Sequence, residues 1–162
     1  VVGQSGLVPI GSAVQSDGKI LVAGSTNGRA VVRRYLSDGS LDGSFGINGQ
    51  ATLPLYAATG FAVGPDGKIV LADAQPSGVR LARLTADGEL DETFGEAGVV
   101  FVSRSGSDYF SSAAVAVAAS GKIVVTGSFL VSPSLPYNTN AYVLQFNVDG
   151  SRDAGFGVNG LT

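Results

Sequence analysis

The stretch LSDGSLDGSFGING occupies residues 36–49, and nearly the same phrase returns twice, as LTADGELDETFGEAG at 84–98 and as VDGSRDAGFGVNG at 148–160. A catalytic site is spelled once in a chain, whereas a phrase that returns at a fixed period is architecture. Aligned on their glycines, Gly39, Gly88 and Gly150 coincide, and so do Phe45, Phe94 and Phe156. A second phrase precedes each copy: SDGKILVAGS from Ser16, PDGKIVLADA from Pro65 and ASGKIVVTGS from Ala119. Gly18 lies 49 residues before Gly67, and Gly67 lies 54 before Gly121. Two landmarks recurring in one order three times define three units, approximately 11–55, 60–103 and 113–162.

Each unit reads as strands. SAVQSDGKILVAGS is apolar on both sides of Asp17-Gly18, which predicts a hairpin whose two-residue turn uses the positive φ angles that Asp-Gly tolerates. AVVRRYLSDGSL offers a third strand, and GQATLPL a fourth after the Phe-Gly landmark. No stretch holds a helical period without a glycine or turn breaking it. The expectation is therefore an all-β chain, a single propeller-type domain or segment over 1–162. It is built from three four-stranded blades of about fifty residues each.

The landmark residues have physical tasks. In D-G-x-x-D-x-x-F-G the second aspartate (Asp42, Asp91, Asp153) accepts bonds from nearby amides and fixes the descending loop. The phenylalanine (Phe45, Phe94, Phe156) plugs the space between blades, a burial worth about 2–3 kcal/mol. Arg34 and Arg83 are expected to pair with acids near the turn. The third copy departs from the pattern: Arg152 replaces Leu41 and Leu90, Gln145 replaces the arginine, and Ser120 stands where the D-G-K phrases have Asp17 and Asp66.

With these landmarks in place, the chain resembles the delta-60 repeat family. The matching positions are Gly18-Lys19-Ile20, Arg34 and 38–46 in the first unit, then Gly67-Lys68-Ile69, Arg83 and 87–95 in the second. In the third they are Gly121-Lys122-Ile123 and 149–157. The resemblance covers essentially the whole chain. It implies bacterial β-propeller repeats of large secreted or surface-attached proteins, and so an extracellular or cell-surface location. It carries no catalytic residues to transfer.

Composition narrows the function classes. The 162 residues are 44% hydrophobic and 14% charged with 24 glycines, the profile of a folded chain rich in short strands and turns. A net charge of −3 provides no basic footprint for nucleic acid. Cysteine and histidine are absent, so disulfides, His-based triads and histidine or thiolate zinc sites do not arise. No D-x-D-x-D-G calcium loop appears either, and no metal or cofactor is expected. The most apolar run, 113–125, is broken by Ser120, Gly121 and Lys122 and is too short to insert in a membrane.

The ends pose a closure problem. VVGQSG resembles VVFVSRSG, so residues 1–4 read as part of a preceding outer strand, and NGLT stops where the next fourth strand should begin. Three blades rarely close a ring. Two copies sharing a six-bladed ring, a segment of a longer propeller chain, and units packed about a multi-chain axis all remain open.

Eight of the ten aspartates sit at repeated turn positions, as do Lys19, Lys68 and Lys122. The acids read as turn scaffold. The lysines read as solvated hairpin residues rather than a cationic ring. Asp73 stands where the other units have Gly24 and Gly127, and is the one acid that invites an enzymatic reading of the glycosidase or lyase type. The interruptions of the repeat carry more. Gly121 to Gly150 spans 29 residues against 21 in the other units, an insertion of eight within 129–140; a further five lie within 103–112. Insertions map to loops, and loops carry binding. The candidate ligand-binding residues are Arg104, Asp108, Tyr109, Phe110, Tyr137, Asn138 and Asn140. Aromatic faces beside amides and charges suit an extracellular glycan or a protein. Ordinary length variation is the other reading of the same insertions. The function expected is a non-enzymatic recognition or adhesion module, the alternative a structural or oligomerisation spacer of a surface fibre.

Overall fold

The computed structural model describes residues 6–103, 109–111, 113–131 and 138–158. Strands follow one another by antiparallel pairing into three sheets. The first holds β1 (Val8–Val14), β2 (Ile20–Thr26), β3 (Arg29–Tyr35) and β4 (Gln50–Thr52), in that order. The second repeats the order with β5 (Gly60–Val63), β6 (Ile69–Gln75), β7 (Gly78–Leu84) and β8 (Val99–Ser103). The third runs β10 (Ala114–Val117), β11 (Ile123–Val131) and β12 (Asn138–Phe146), with β9 (Tyr109–Phe110) pairing the far end of β11. The described residues contain no helix, and hence none that crosses a membrane.

One expectation needs correction: the Asp-Gly corners are not two-residue turns. Gly18 has φ +81° but Asp17 does not enter the left-handed region. Gln15 donates to the Lys19 carbonyl at 2.8 Å, and Gly18 donates to the Gln15 carbonyl at 2.9 Å. That is a type I turn closed by a left-handed glycine, a three-residue loop. The corners at Gly64–Lys68 and Ala118–Lys122 close with the same two bonds. Two-residue turns lie instead at Asn27-Gly28, with φ 49° and 73°, between Thr26 and Arg29, and at Pro76-Ser77 between Gln75 and Gly78. In the third blade β9, from the insertion before it, adds a fourth described strand by pairing the far end of β11. The outer strands expected at residues 1–4 and from Gly160 onward lie outside the described residues.

The sheets stack as blades with a core in each gap. Alternation along β6 and β7 divides their side chains between two neighbours. Ile69, Leu71, Ala82 and Leu84 join Leu21, Ala23, Ala30, Val32 and Phe45 on one side. Val70, Ala72, Val79 and Leu81 join Phe94, Ile123, Val125, Leu144 and Phe146 on the other. Both faces of the middle blade are thus covered, which is why its strands read as almost continuous apolar runs.

Phe45 and Phe94 are fully buried at these gaps, whereas Phe156, in the same position of the third unit, remains half-buried. Phe94→Ala is expected to cost about 3–5 kcal/mol, the range for deleting a buried phenylalanine. Phe156→Ala at low protein concentration is expected to cost well under half as much. Urea unfolding of the two variants followed by far-ultraviolet circular dichroism checks the difference.

Candidate functional site

The chain crosses between strands at two ends of the blade stack, and the ends differ in kind. At one end lie every Asp-Gly corner and every Phe-Gly landmark, within residues 15–19, 36–49, 64–68, 85–98, 118–122 and 147–157. At the other lie the β2–β3 and β6–β7 turns, the 53–59 connector, strand β9 and the far ends of β11 and β12.

At the landmark end, open grooves of about 780 and 480 Å³ run beside the plugs, yet the landmark acids and bases are committed to one another. In the second blade Asp91 accepts from Arg83 Nε at 2.7 Å and from the Thr93 hydroxyl at 2.6 Å, with Lys68 Nζ at 2.9 Å. Asp42 repeats the pattern with Arg34 at 2.8 Å, the Ser44 hydroxyl at 2.6 Å and Lys19 at 3.5 Å. Asp153 keeps the lysine, Lys122 at 2.7 Å, and has Gln145 in place of the arginine. The Ser44 hydroxyl and amide, with Arg34, hold the Asp42 carboxyl far below the usual carboxylate range. Burial works against the Asp91 carboxylate, but Thr93, Lys68 and Arg83 together hold it equally low. Lys122 lowers Asp153. The arginine pairing expected from the sequence is present. The lysines are neither a free cationic ring nor merely solvated, since each holds the second aspartate of its own unit.

The same arginines reach forward. Arg34 donates to the Ala86 carbonyl at 2.9 Å, and Arg83 donates to the Val148 carbonyl. Each also lies over its own plug, Arg34 at 4.8 Å from the Phe45 ring centre and Arg83 at 4.4 Å from that of Phe94. Beside them Gly46 donates to the Asp87 carbonyl and Gly95 to that of Asp149, both at 2.8 Å. A Cβ on Gly88 would come within 2.8 Å of Phe45, and one on Gly150 within 2.9 Å of Phe94, so the next blade's Asp-Gly corner must be glycine to receive the plug. The site-like clustering of acids and bases here is the clamp between blades.

The variable end holds the departures from the repeat. Asp73 is fully buried and accepts from the Tyr56 amide at 3.0 Å, so it anchors the 53–59 connector rather than opening into a funnel. Its Oδ1 has no partner among the described residues, and burial raises its carboxyl above the ordinary value. Its cross-strand neighbour is Arg80, which stands where the other units have Val31 and Tyr142. Arg80, Arg29, Asn27 and the largely exposed Tyr56 line a cleft of about 430 Å³ between the first two blades. Sequence reading missed this cleft, although aligning the units on Val31 and Tyr142 would have singled out Arg80.

Of the residues expected to bind through the insertions, Arg104, Asp108 and Tyr137 lie outside the described residues. Tyr109 and Asn138 are placed as backbone of β9 and β12, and Asn140 is exposed on β12 opposite Phe129. Phe110 belongs to the core: it is 8% exposed and sits edge-on to Tyr142 at 5.1 Å, so it packs the third blade instead of facing a ligand. The eight-residue insertion lengthens β11 and β12 to nine residues, against seven in β2 and β3, and β9 braces the extension. Among the described residues no group of three or more His, Cys, Asp or Glu is placed to hold a metal.

Stacked four-stranded meanders joined by a repeated corner define a propeller-type blade array. A family model described as a domain of unknown function (DUF5122) β-propeller matches residues 15–45, 64–94 and 118–156. The chain belongs to this family. The matched segments run from the lysine corner to the phenylalanine plug, the two ends of the clamp. No curated protein matches the chain significantly. The chain is also similar to a protein of unknown function from Bacteroides caccae whose crystal structure is known, at 12% identity and a TM-score of 0.47, over 99% of this chain and 73% of that one.

The clamp sets an acid limit on stability. A carboxyl whose folded-state pKa lies below its ordinary value of 3.8 contributes stability above that value and loses it as pH falls further. Asp91→Asn is expected to be less stable than the parent chain at neutral pH, with the gap closing as pH drops below about 4. Thermal melts of both chains between neutral and acid pH check this; a gap that stays constant would contradict it.

Proposed function

We propose that this chain is a non-enzymatic recognition module of a bacterial secreted or surface-attached protein, and that the variable end of the blade stack is its ligand face. The observation that supports this is the division between the ends. One end commits its landmark acids and bases to the clamp, while the other gathers β9, the extended β11 and β12 and the Arg80–Tyr56 cleft. Rigid sheets that carry their variation in the loops at one end are the usual arrangement of a binding scaffold. Arginines beside an exposed tyrosine suit a glycan or a protein segment carrying carboxylates. An acid–base reaction is not part of this reading. Asp73 is sealed from solvent, and the paired aspartates are held ionised at neutral pH.

A panel of neutral and acidic oligosaccharides and acidic peptides, immobilised and probed with the purified chain, tests the proposal. Binding of an acidic member is expected to fall about tenfold or more in a Tyr56→Ala, Arg80→Ala double variant or in Tyr137→Ala, as for loss of an interface anchor. Lys122→Ala, at the opposite end, is expected to bind unchanged. Binding that follows Lys122 and ignores the other three positions, or cleavage of a panel member, would overturn the proposal.

A further inference from the structure

The two internal interfaces are built from the same two halves. The leading half is a plug: a phenylalanine, the glycine amide after it, and the apolar residues on that face of the blade. The receiving half is a socket: an Asp-Gly corner whose carbonyls accept, and apolar residues on the opposite face. In both internal gaps these positions are sealed. Phe45 and Phe94 are fully buried, as are Ile69, Leu71, Ile123, Val125 and Phe146 on the receiving side.

The third blade presents a plug with nothing in front of it among the described residues. Phe156 is half-buried, and Val124 and Val143, equivalents of the buried Val70 and Leu81, are half-buried too. Among the described residues the first blade presents an uncovered socket. Ile20, Val22 and Tyr35 are half-buried where the equivalent Ile69, Leu71 and Leu84 are sealed. A Cβ on Gly39 would meet nothing within 4 Å, whereas on Gly88 and Gly150 it would strike a phenylalanine. The carbonyls of Ser37 and Asp38 receive no hydrogen bond among the described residues, whereas those of Ala86, Asp87, Val148 and Asp149 do.

We propose that the third blade of one copy of this chain docks on the first blade of a second copy, through the interface that already joins blades within the chain. The occupant of each open half is the complementary half from another copy. In that contact Phe156 seats against Gly39 of the next copy, and the Gly157 amide donates to its Asp38 carbonyl. Such a contact is heterologous, so it either closes into a ring or continues as a filament.

The contact is weaker than the internal ones. Gln145 cannot make the forward bond that Arg34 and Arg83 make, and Arg33 stands on the socket face where the other blades have Ala82 and Leu144. Association is therefore concentration-dependent, and a single substitution should strengthen it.

The test is the mass of the chain by light scattering and sedimentation, from low micromolar to millimolar concentration. The mass should rise toward a multiple of the chain mass. Phe156→Ala and Gly39→Ala should each weaken association about tenfold or more, the effect of losing an interface anchor. Gly28→Ala carries comparable left-handed backbone strain at φ +73° but lies in the β2–β3 turn at the opposite end, and should leave association unchanged. Gln145→Arg should tighten it. Circular dichroism of each variant separates lost association from lost folding. A parent chain and a Gln145→Arg variant that both stay monomeric throughout would overturn the proposal. So would an assembly indifferent to Phe156 and Gly39. Glycan or peptide binding plays no part in the readout, so this result stands apart from the ligand-face proposal.

Discussion

The Arg83–Asp91 pair, and its counterpart Arg34–Asp42, is the interaction on which the rest of the structure depends. A buried guanidinium is costly unless its charge and its donors are met. Here the carboxylate meets the charge, and the remaining donors find the Thr93 hydroxyl and a carbonyl of the following blade. The demand for complete satisfaction turns a local ion pair into a joint between sheets. The plug phenylalanine lies under the same guanidinium, so polar and apolar parts of the joint are set by one side chain. That explains why arginine, aspartate, phenylalanine and two glycines travel together in the sequence. Each has no other place to go.

From this joint the division of the molecule follows. The corner that carries the joint is constrained in length, in backbone sign and in side-chain type. The opposite end carries a lighter joint, in which the Thr59 hydroxyl donates to the Ala113 carbonyl at 2.8 Å and accepts from its amide at 3.2 Å. The third blade's extra residues lengthen β11 and β12 at that end, away from the plug and its corner, and the added strand β9 covers the lengthened edge.

The blade architecture was legible because repetition multiplies a weak local signal. Strand order, three units and the plug role of Phe45 and Phe94 came from spacing and residue type alone. The Asp-Gly corners were read with the wrong turn, because the dipeptide fits both a two-residue turn and a type I turn with a left-handed glycine. Only the bond from Gln15 to Lys19 separates them. Phe110 read as a loop aromatic because an insertion hides periodicity. The strand it forms is only two residues long, too short to show an alternation. The lysines read as solvated because their partner aspartates lie 23 residues away in two blades and 31 in the third. Arg80 and Tyr56 fall between the landmarks, where no repeated phrase draws attention to them.

The landmark phrase joins each blade to the next, and native-state hydrogen exchange of two amides reports on that joint. Gly46 and Gly95 sit in turns, yet their amides donate across the blade gap at 2.8 Å. Both are expected to exchange as slowly as the amides of β2 and β6, opening only with the sheets. Exchange as fast as an exposed turn amide, with the strands on either side still protected, would show that the corners shape each blade without joining the blades together.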